Sequence, residues 1–255
     1  MDSQNTRGTA LVTGGAIRLG KAIALALAEV GYNIALHYNS SRQPAEETAT
    51  EIRNLGVTCE IFQQDLGAAH QLEVFLQNVY ARFPDLTVLV NSASGYAQAP
   101  IAETTVETFD SQFNINLRAP FFLTQAFAKH VQQGNIINIL DNKIGYNQYP
   151  YAAYLLAKKA LVEFTKMAAL EFAPHLRVNG VAPGVVMPMS SRSAEYIAWR
   201  IGHIPLQTQG DTRHITRTIL HIVDNDFVTG QIFVVDGGEA INHIGKNAAD
   251  YGGAK

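Results

Sequence analysis

The chain has 255 residues, 47% of them hydrophobic and 16% charged, which is typical of a globular protein with one sizeable core. Its net charge of −3 gives no sign of a nucleic-acid partner or of an anionic membrane partner. The single cysteine excludes an internal disulfide framework and a metal site built from several cysteines, so we predict no metal.

No part of the chain carries a targeting or membrane signal. The start is polar, the apolar run over residues 10–12 is too short for a signal peptide, and no apolar stretch approaches the ~18 residues of a membrane span. No internal linker suggests a second domain. We therefore expect one cytoplasmic domain over residues 1–255.

The first elements are a strand, a glycine-rich turn and a helix. Residues 9–13 are typical of a short buried strand, and Gly14, Gly15 and Gly20 follow before a helical pattern that Gly31 ends. Glycines let the backbone approach a pyrophosphate, and a helix N-terminus offers free N–H groups. A tight turn would need glycine for its geometry alone, but this context favours a nucleotide site.

The second predicted strand, residues 32–38, ends where nucleotide folds meet the adenosine ribose. A carboxylate there would bind the 2′-hydroxyl of NAD, whereas basic or neutral donors suit a 2′-phosphate. The strand ends instead in His37, Tyr38, Asn39, Ser40 and Ser41. Arg18 in the first turn can also face a phosphate, so the sequence indicates NADPH. The serines also suit the cap of a helix over residues 45–55, and both interpretations can hold.

Strands and helices continue to alternate. Further strands are predicted over residues 57–63, 86–90, 135–141, 177–181 and 230–235. Further helices are predicted over residues 70–83, 116–132, from Pro150 to about 172, and 211–224. This alternation predicts an α/β single-domain Rossmann fold with a doubly wound parallel sheet of about seven strands.

Two features of this pattern leave alternatives open. Asp65 follows the third strand, where it either caps a helix or binds an adenine amino group. Residues 185–209 contain Pro188, Gly202 and Pro205, and a long segment of this kind is often a mobile lid. The segment could instead be a helical elaboration that only packs, or an oligomer contact.

Tyr154 and Lys158 lie four residues apart in a run rich in helix formers, so they share one helical face. A nearby ammonium favours the phenolate and lowers the pKa of a tyrosine from about 10, which makes the hydroxyl a usable acid near neutrality. An exposed tyrosine and a solvated lysine would have the same spacing. The spacing of Tyr154 and Lys158 is therefore stronger evidence for a catalytic pair because a predicted nucleotide site lies upstream.

With these residues in place, the chain resembles the short-chain dehydrogenase/reductase family over nearly its whole length. The family motif TGxxxGxG is matched by residues 13–20, with Arg18 at the middle glycine, and NNAG is matched loosely by residues 91–94. Asn116 matches the active-site asparagine, and Tyr154 and Lys158 match the catalytic pair. The resemblance implies cofactor contacts by Gly14, Arg18, Leu19, Gly20, His37, Tyr38, Asn39, Ser40, Ser41, Asp65, Leu66, Asn91, Ala93, Ser94, Lys158, Pro183 and Gly184.

One position departs from the family pattern. The family usually has a serine thirteen positions before the tyrosine, and this chain has Asp141. Together with Arg18, residues 37–38 and residues 94–96, Asp141 resembles the pteridine reductase branch, which includes dihydromonapterin and dihydrofolate reductases of the short-chain type. That branch implies NADPH, a pterin stacked on Tyr96, and a homotetramer with interface helices starting near Asn116 and Ala152. Its substrate contacts would be Ser94, Tyr96, Asp141 and Tyr154.

The replacement of serine by Asp141 has a chemical rationale. A hydroxyl suits a carbonyl substrate, whereas reduction of a pterin C=N bond requires protonation of a ring nitrogen, which a carboxyl can deliver or relay. We expect Tyr154 and Asp141 to share the acid role, Lys158 to lower the Tyr154 pKa and bind the nicotinamide ribose, and Asn116 to hold a water. Alternatively, Asp141 only caps a loop at a strand end.

Two other functions fit the same motifs. A carbonyl reductase of an acyl thioester or a sugar ketone is possible from the general motifs, and Asp141 argues against it. A regulatory protein that binds NADPH without turnover would usually lack the tyrosine or the lysine, and both are present. The favoured hypothesis is an NADPH-dependent reductase of a dihydropterin, with dihydrofolate as a further candidate substrate.

Overall fold

A computed structural model describes residues 7–188, 192–242 and residue 252. The strands within these ranges are Thr9–Val12 (β1), Asn33–Tyr38 (β2), Cys59–Gln63 (β3), Leu86–Asn91 (β4), Gly134–Ile139 (β5), Leu176–Pro183 (β6) and Ile232–Val235 (β7). The helices are Arg18–Glu29 (α1), Arg42–Arg53 (α2), Leu72–Arg82 (α3), Val106–Phe113 (α4), Ala119–His130 (α5), Ala152–Phe172 (α6), Ala194–Ile201 (α7) and Thr212–Asp224 (α8).

The seven strands form one parallel sheet in the order β3-β2-β1-β4-β5-β6-β7. One face is covered by α1, α2 and α8, and the other by α3, α5 and α6. Helices on both faces explain why the central strands are almost continuously apolar, as in β1, where all four residues are buried. The predicted doubly wound α/β fold is confirmed.

The strand order reverses between β1 and β4, and this reversal places the site. In an open parallel sheet, the loops beyond the carboxyl ends of the strands diverge at such a point and leave a crevice for a ligand. The turn after β1, the loop after β4 and the segment after β5 meet there. These are the segments that carry Gly14, Ser94 and Asp141.

Several predicted helix boundaries were wrong. The second helix begins at Arg42 rather than at residue 45, because proline is tolerated in the first helical turn and Pro44 lies there. The helix predicted over residues 116–132 is a π-helical turn, Asn114–Arg118, followed by α5. The sequence analysis missed α4, although Thr105 caps it by accepting a hydrogen bond from the Thr108 amide.

The predicted lid lies over residues 185–209, of which 189–191 fall outside the described residues. Its described part contains α7, which begins at Ala194 after the capping residue Ser193. The segment is tied to the tail by a buried ion pair between Arg200 and Glu239. This packing agrees with a helical elaboration, and the lid motion stays a prediction. None of the helices in the described ranges combines the length and apolar character needed to cross a membrane.

Candidate active site

A cavity of about 550 Å³ opens at the strand-order reversal. It is lined by every predicted cofactor residue except Asp65 and Asn91, and also by Asp141 and Tyr154. The sequence analysis missed further lining residues, namely Ala16, Ile17, Ser92, Ile115, Ile139, Leu140, Val186 and Met187. Most of these are apolar side chains beside a predicted residue, so spacing alone gave no signal for them.

The glycine turn is packed too closely for any other residue. Gly14 has φ +64°, and a Cβ there would lie 2.9 Å from the Ala93 Cα. A Cβ on Gly20 would lie 2.1 Å from the Gly14 carbonyl oxygen. Thr13 fixes the facing loop, because its hydroxyl oxygen accepts hydrogen bonds from the amides of Ser92 and Ala93. The open turn and the N-terminus of α1 together form a cradle that fits a pyrophosphate.

Arg18 connects this turn to the segment after β6. It adopts φ 54°, a left-handed conformation uncommon for a residue with a side chain, at the position where the family motif has glycine. Its guanidinium donates a hydrogen bond to the Met187 carbonyl at 2.5 Å. Arg18 thus places a positive charge on the rim of the cavity and joins its two sides.

His37 supports the glycine turn from behind. It is 2% exposed; its Nδ1 accepts a hydrogen bond from the Gly14 amide at 3.0 Å, and its Nε2 donates one to the Gln64 carbonyl at 2.9 Å. Burial lowers the pKa of His37 to about 4, so the ring is neutral near pH 7. Both ring nitrogens of His37 therefore support the turn, and its predicted contact with the cofactor stays a prediction.

Two predicted cofactor residues lie outside the cavity. Asp65 is exposed and accepts a hydrogen bond from the Gly67 amide at 2.9 Å, so it closes a turn, whereas Ala68 caps the short helix that follows. Its contact with an adenine amino group stays a prediction. Asn91 is buried, and its amide donates a hydrogen bond to Asn138, which in turn donates one to Thr165 on α6. Asn91 therefore links β4, β5 and α6, and its predicted contact with the cofactor stays a prediction.

Asp141 and Tyr154 form a direct pair at the end of β5. The Tyr154 hydroxyl donates a hydrogen bond to Asp141 Oδ2 at 2.8 Å, and the Lys143 amide donates one to Oδ1 at 2.8 Å. The second bond caps the short 3₁₀ turn Asn142–Gly145. One carboxylate oxygen therefore caps the loop and the other contacts the tyrosine, and the acid role of Asp141 stays a prediction.

The expected effect of Lys158 on Tyr154 was wrong. Burial, followed by the charge and the hydrogen bond of Asp141, raises the pKa of Tyr154 well above its ordinary value. The Lys158 ammonium lies 5.9 Å from the Tyr154 ring centre and donates its hydrogen bond to the Ile139 carbonyl at 2.7 Å. Burial and the adjacent carboxylate therefore set the direction of the Tyr154 pKa shift, and Tyr154 stays protonated. Burial lowers the pKa of Lys158 to about 8, against a smaller opposing effect of Asp141.

Asn116 does not line the cavity. It is fully buried in the π-helical turn; its amide nitrogen donates to the carbonyls of Gly95 and Gln112, and its oxygen accepts from the Ser94 hydroxyl at 2.7 Å. These bonds use both amide N–H groups. Asn116 therefore positions the loop that carries Ser94, and the predicted role of holding a water is not supported.

Tyr96, Tyr151 and Tyr154 form an aromatic corner beside the pair of Asp141 and Tyr154. The ring of Tyr96 stacks on Tyr151 with a centroid distance of 4.7 Å and meets Tyr154 edge to face at 4.9 Å. It is 46% exposed and lines a smaller cavity of about 180 Å³ beside the main one. The two cavities share the wall formed by Gly184, Val186 and Met187. Tyr96 is thus placed to offer a ring face to a ligand next to Tyr154.

The smaller cavity has a basic lining that the sequence analysis missed. Lys143, Arg192 and Arg200 line it together with Tyr96 and Tyr196. Lys143 follows Asp141 by two residues, so its position near the acid pair could have been predicted from the sequence. The two arginines reach the cavity only because α7 folds back over the segment after β6, which no local pattern indicates.

The fold agrees with comparisons to known proteins. Residues 15–239 match the family model described as enoyl-(acyl carrier protein) reductase. The uncharacterized oxidoreductase YohF of Escherichia coli (strain K12) is 32% identical over 238 residues, which cover 90% of this chain and 94% of that protein. The 3-oxoacyl-(acyl-carrier-protein) reductase FabG of Staphylococcus aureus (strain Mu50 / ATCC 700699) is 31% identical over 239 residues, or 90% and 97% of the two chains.

A solved structure resembles the chain as a whole. FolM alternative dihydrofolate reductase 1 from Brucella suis, in complex with NADP, superposes with a TM-score of 0.88 at 30% identity and covers 92% of this chain and 96% of that one. The Brucella canis protein of the same description, also complexed with NADP, gives 0.88 at 29% identity. A glycine turn at a parallel sheet, with a tyrosine and lysine beside it, defines a dinucleotide-dependent oxidoreductase. This chain belongs to the short-chain dehydrogenase/reductase family.

Proposed function

We propose that the protein is an NADPH-dependent reductase that converts a dihydropterin, or dihydrofolate, to its tetrahydro form. The observation that carries this proposal is the 2.8 Å hydrogen bond between Tyr154 and Asp141. Short-chain reductases of carbonyl groups usually have a serine where this chain has Asp141. A carboxyl beside the tyrosine suits a substrate whose ring nitrogen must take a proton.

The cofactor site fits NADPH. The turn at Gly14 and Gly20 leaves room for a pyrophosphate at the N-terminus of α1, and Arg18, Ser40 and Ser41 offer a cation and hydroxyl donors for a 2′-phosphate. The FolM structures in complex with NADP support the same choice. Lys158 lies on the cavity wall where it would bind the nicotinamide ribose. Bound NADPH would supply the hydride.

The acid role falls to Tyr154 and Asp141 together. Because the pKa of Tyr154 is raised, its hydroxyl holds its proton near pH 7 and presents it to Asp141. A ring nitrogen at the cavity takes this one proton either directly from Tyr154 or from Asp141 after the proton has passed along the 2.8 Å hydrogen bond, and solvent then restores the proton to the pair. The Lys143 amide keeps the carboxylate in place during this exchange.

The aromatic corner supports a flat heterocyclic substrate. Tyr96 has a ring that is half exposed and held by Tyr151 behind it, so little side-chain freedom is lost when a ligand stacks on it. Tyr154 meets the same ring edge to face. A ring stacked on Tyr96 would therefore lie next to the acid pair.

A carbonyl reductase is the second candidate, supported by the 31% identity with the FabG protein. The two functions are separated by a substrate panel measured with the intact protein and NADPH. We expect turnover of a dihydropterin or dihydrofolate and little turnover of 3-oxoacyl thioesters or sugar ketones. Preferential turnover of a ketone would overturn the proposal, and NADPH binding without any turnover would favour the regulatory hypothesis.

We also propose that the protein forms a homotetramer through α5 and α6. These helices expose large apolar side chains, with Phe121 43%, Leu156 53%, Met167 64% and Leu170 83% exposed. Such a face is typical of an interface, since single apolar residues are common on surfaces but clusters are not. Native mass spectrometry should give a tetramer for the wild type and smaller species for Met167→Lys with Leu170→Lys. A monomeric wild type would contradict the proposal.

A further inference from the structure

The smaller cavity, of about 180 Å³ and lined by Tyr96, Lys143, Arg192, Tyr196 and Arg200, has no role in the chemistry above. It opens beside the cavity of the acid pair and shares a wall with it. A substrate stacked on Tyr96 would therefore direct a substituent into it. The chemical group that these charged side chains bind decides which ring substituent the enzyme prefers.

Lys143 is the first of these charges. It is half-buried, and its ammonium donates a hydrogen bond to the Gln148 side-chain oxygen at 2.9 Å, a neutral partner. Over residues 7–188, 192–242 and 252, no ion pair joins Lys143 to a carboxylate. Burial lowers the pKa of Lys143 to about 8, which still leaves the ammonium mostly protonated at pH 7. A half-buried cation with a neutral partner is stabilised by any anion that reaches it.

The neighbouring carboxylates are already engaged. Glu239 is ion-paired with Arg200 and accepts a hydrogen bond from Asn142 at 2.9 Å. Asp141 accepts hydrogen bonds from Tyr154 and from the Lys143 amide. Within the described residues, the smaller cavity is lined by three cationic side chains, those of Lys143, Arg192 and Arg200, and by no carboxylate.

Arg192 adds a positive charge at the outer side. Its guanidinium lies over the ring of Tyr196 at 4.9 Å, a contact that holds the cation against the cavity wall. Lys143 and Arg192 thus supply positive charge to the cavity lining from two separate segments, the one after β5 and the one just before α7.

We propose that this cavity binds an anionic substituent of the substrate, a carboxylate or a phosphate, through Lys143 and Arg192. The inference rests on the proposed function and specifies the substrate class, which is a dihydropterin with a negatively charged side chain in preference to a neutral one. A dihydrofolate, with its carboxylates, and a dihydropterin phosphate monoester are the two sources of such an anion.

The test compares kcat/KM for dihydrofolate, a dihydropterin phosphate monoester and the uncharged dihydrobiopterin. Lys143→Met keeps the backbone amide that holds Asp141, and it should lower kcat/KM for the preferred anionic substrate by roughly tenfold or more, mainly through KM, with a clearly smaller loss for the neutral substrate. Arg192→Gln should act in the same direction, and added salt should reduce the preference in the wild type. Lys129→Met is the control, since Lys129 pairs with Glu73 on the surface.

The outcomes separate the two proposals. Equal losses for charged and neutral substrates in both variants, or a wild-type preference for the neutral substrate, would overturn the charge-recognition proposal and leave pterin reduction intact. Failure of the wild type to reduce any of the three substrates would overturn the proposed function itself. A preference for only one of the two anionic substrates identifies the anion as a carboxylate or a phosphate.

Discussion

The Tyr154 hydroxyl donates a hydrogen bond to one oxygen of Asp141, while the other oxygen accepts the Lys143 amide. The carboxylate is therefore fixed by the backbone on one side and free to exchange a proton on the other. Burial, followed by the charge and hydrogen bond of Asp141, raises the Tyr154 pKa, where the sequence predicted that it would be lowered. The acid is thus a protonated phenol coupled to a carboxylate.

Asp141→Asn should impair catalysis without loss of the fold. The amide oxygen can still accept hydrogen bonds, but the side chain can no longer exchange a proton, so kcat with the dihydropterin should fall by about 100-fold. Asp141→Ser, which introduces the residue usual in the family, should be no better with this substrate. Full activity of Asp141→Asn would show that the carboxylate only caps the loop.

The activity should weaken at alkaline pH through Lys158. Burial lowers the pKa of Lys158 from 10.5 to about 8, so its ammonium is present below pH 8 and lost above it, whereas Tyr154, with its raised pKa, stays protonated over that range. The KM for NADPH should therefore rise above pH 8. The KM for NADPH is also measured against pH in Lys143→Met, because Lys143 has a pKa of about 8 as well. This variant separates the effect of Lys158 from that of Lys143. A KM for NADPH that stays flat to pH 10 would contradict this assignment.

His37 should make the protein sensitive to acid. Its pKa is about 4 in the folded chain and 6.5 when unperturbed, so the unfolded chain binds more protons between these values. The stability that depends on neutral His37 is complete above pH 6.5 and is lost as the pH falls through 4. Between pH 7 and 4.5 the wild type should lose about 2 kcal/mol more than His37→Phe, as measured by urea unfolding. Equal losses would contradict this role.

The glycine turn can be tested with a matched pair of alanine substitutions. Gly20→Ala places a Cβ 2.1 Å from the Gly14 carbonyl oxygen, so the turn must shift, and NADPH affinity should fall roughly tenfold or more. Gly202→Ala is the control, because its Cβ would meet its nearest atoms at 3.6 Å, an ordinary contact. The affinities are measured by NADPH fluorescence. Similar affinities for the two variants would argue against close packing at the turn.

Much of the fold could be predicted from the sequence because the patterns that indicate it are local. Alternating strands and helices and the glycine turn predicted the sheet, since each depends on a few neighbouring residues. The helix α4 was missed because its apolar side chains do not follow a buried stripe, with Val106 71% and Phe109 41% exposed. The π-helical turn was not predictable either, since it depends on bonds from Asn116 to a loop about twenty residues earlier.

The sequence predicted the residues that meet at the site better than it predicted their pKa shifts. Tyr154 and Lys158 were found by their spacing and Asp141 by its departure from the pattern of the family that the chain resembles, and the structure brings all three together at one cavity. The direction of the Tyr154 pKa was missed, because it depends on burial and on which charge lies closest. The ion pair between Arg200 and Glu239 was not predicted either, because the two residues are far apart in the sequence and meet only in the folded chain.

The most direct measurement of the central claim is single-turnover oxidation of NADPH by a dihydropterin, compared between the wild type and Tyr154→Phe. The wild type should oxidise NADPH rapidly, and Tyr154→Phe should be slower by about 100-fold or more while binding NADPH with unchanged affinity. Turnover by Tyr154→Phe at the wild-type rate, or no reduction of a dihydropterin by the NADPH-bound wild type, would contradict the proposed reductase.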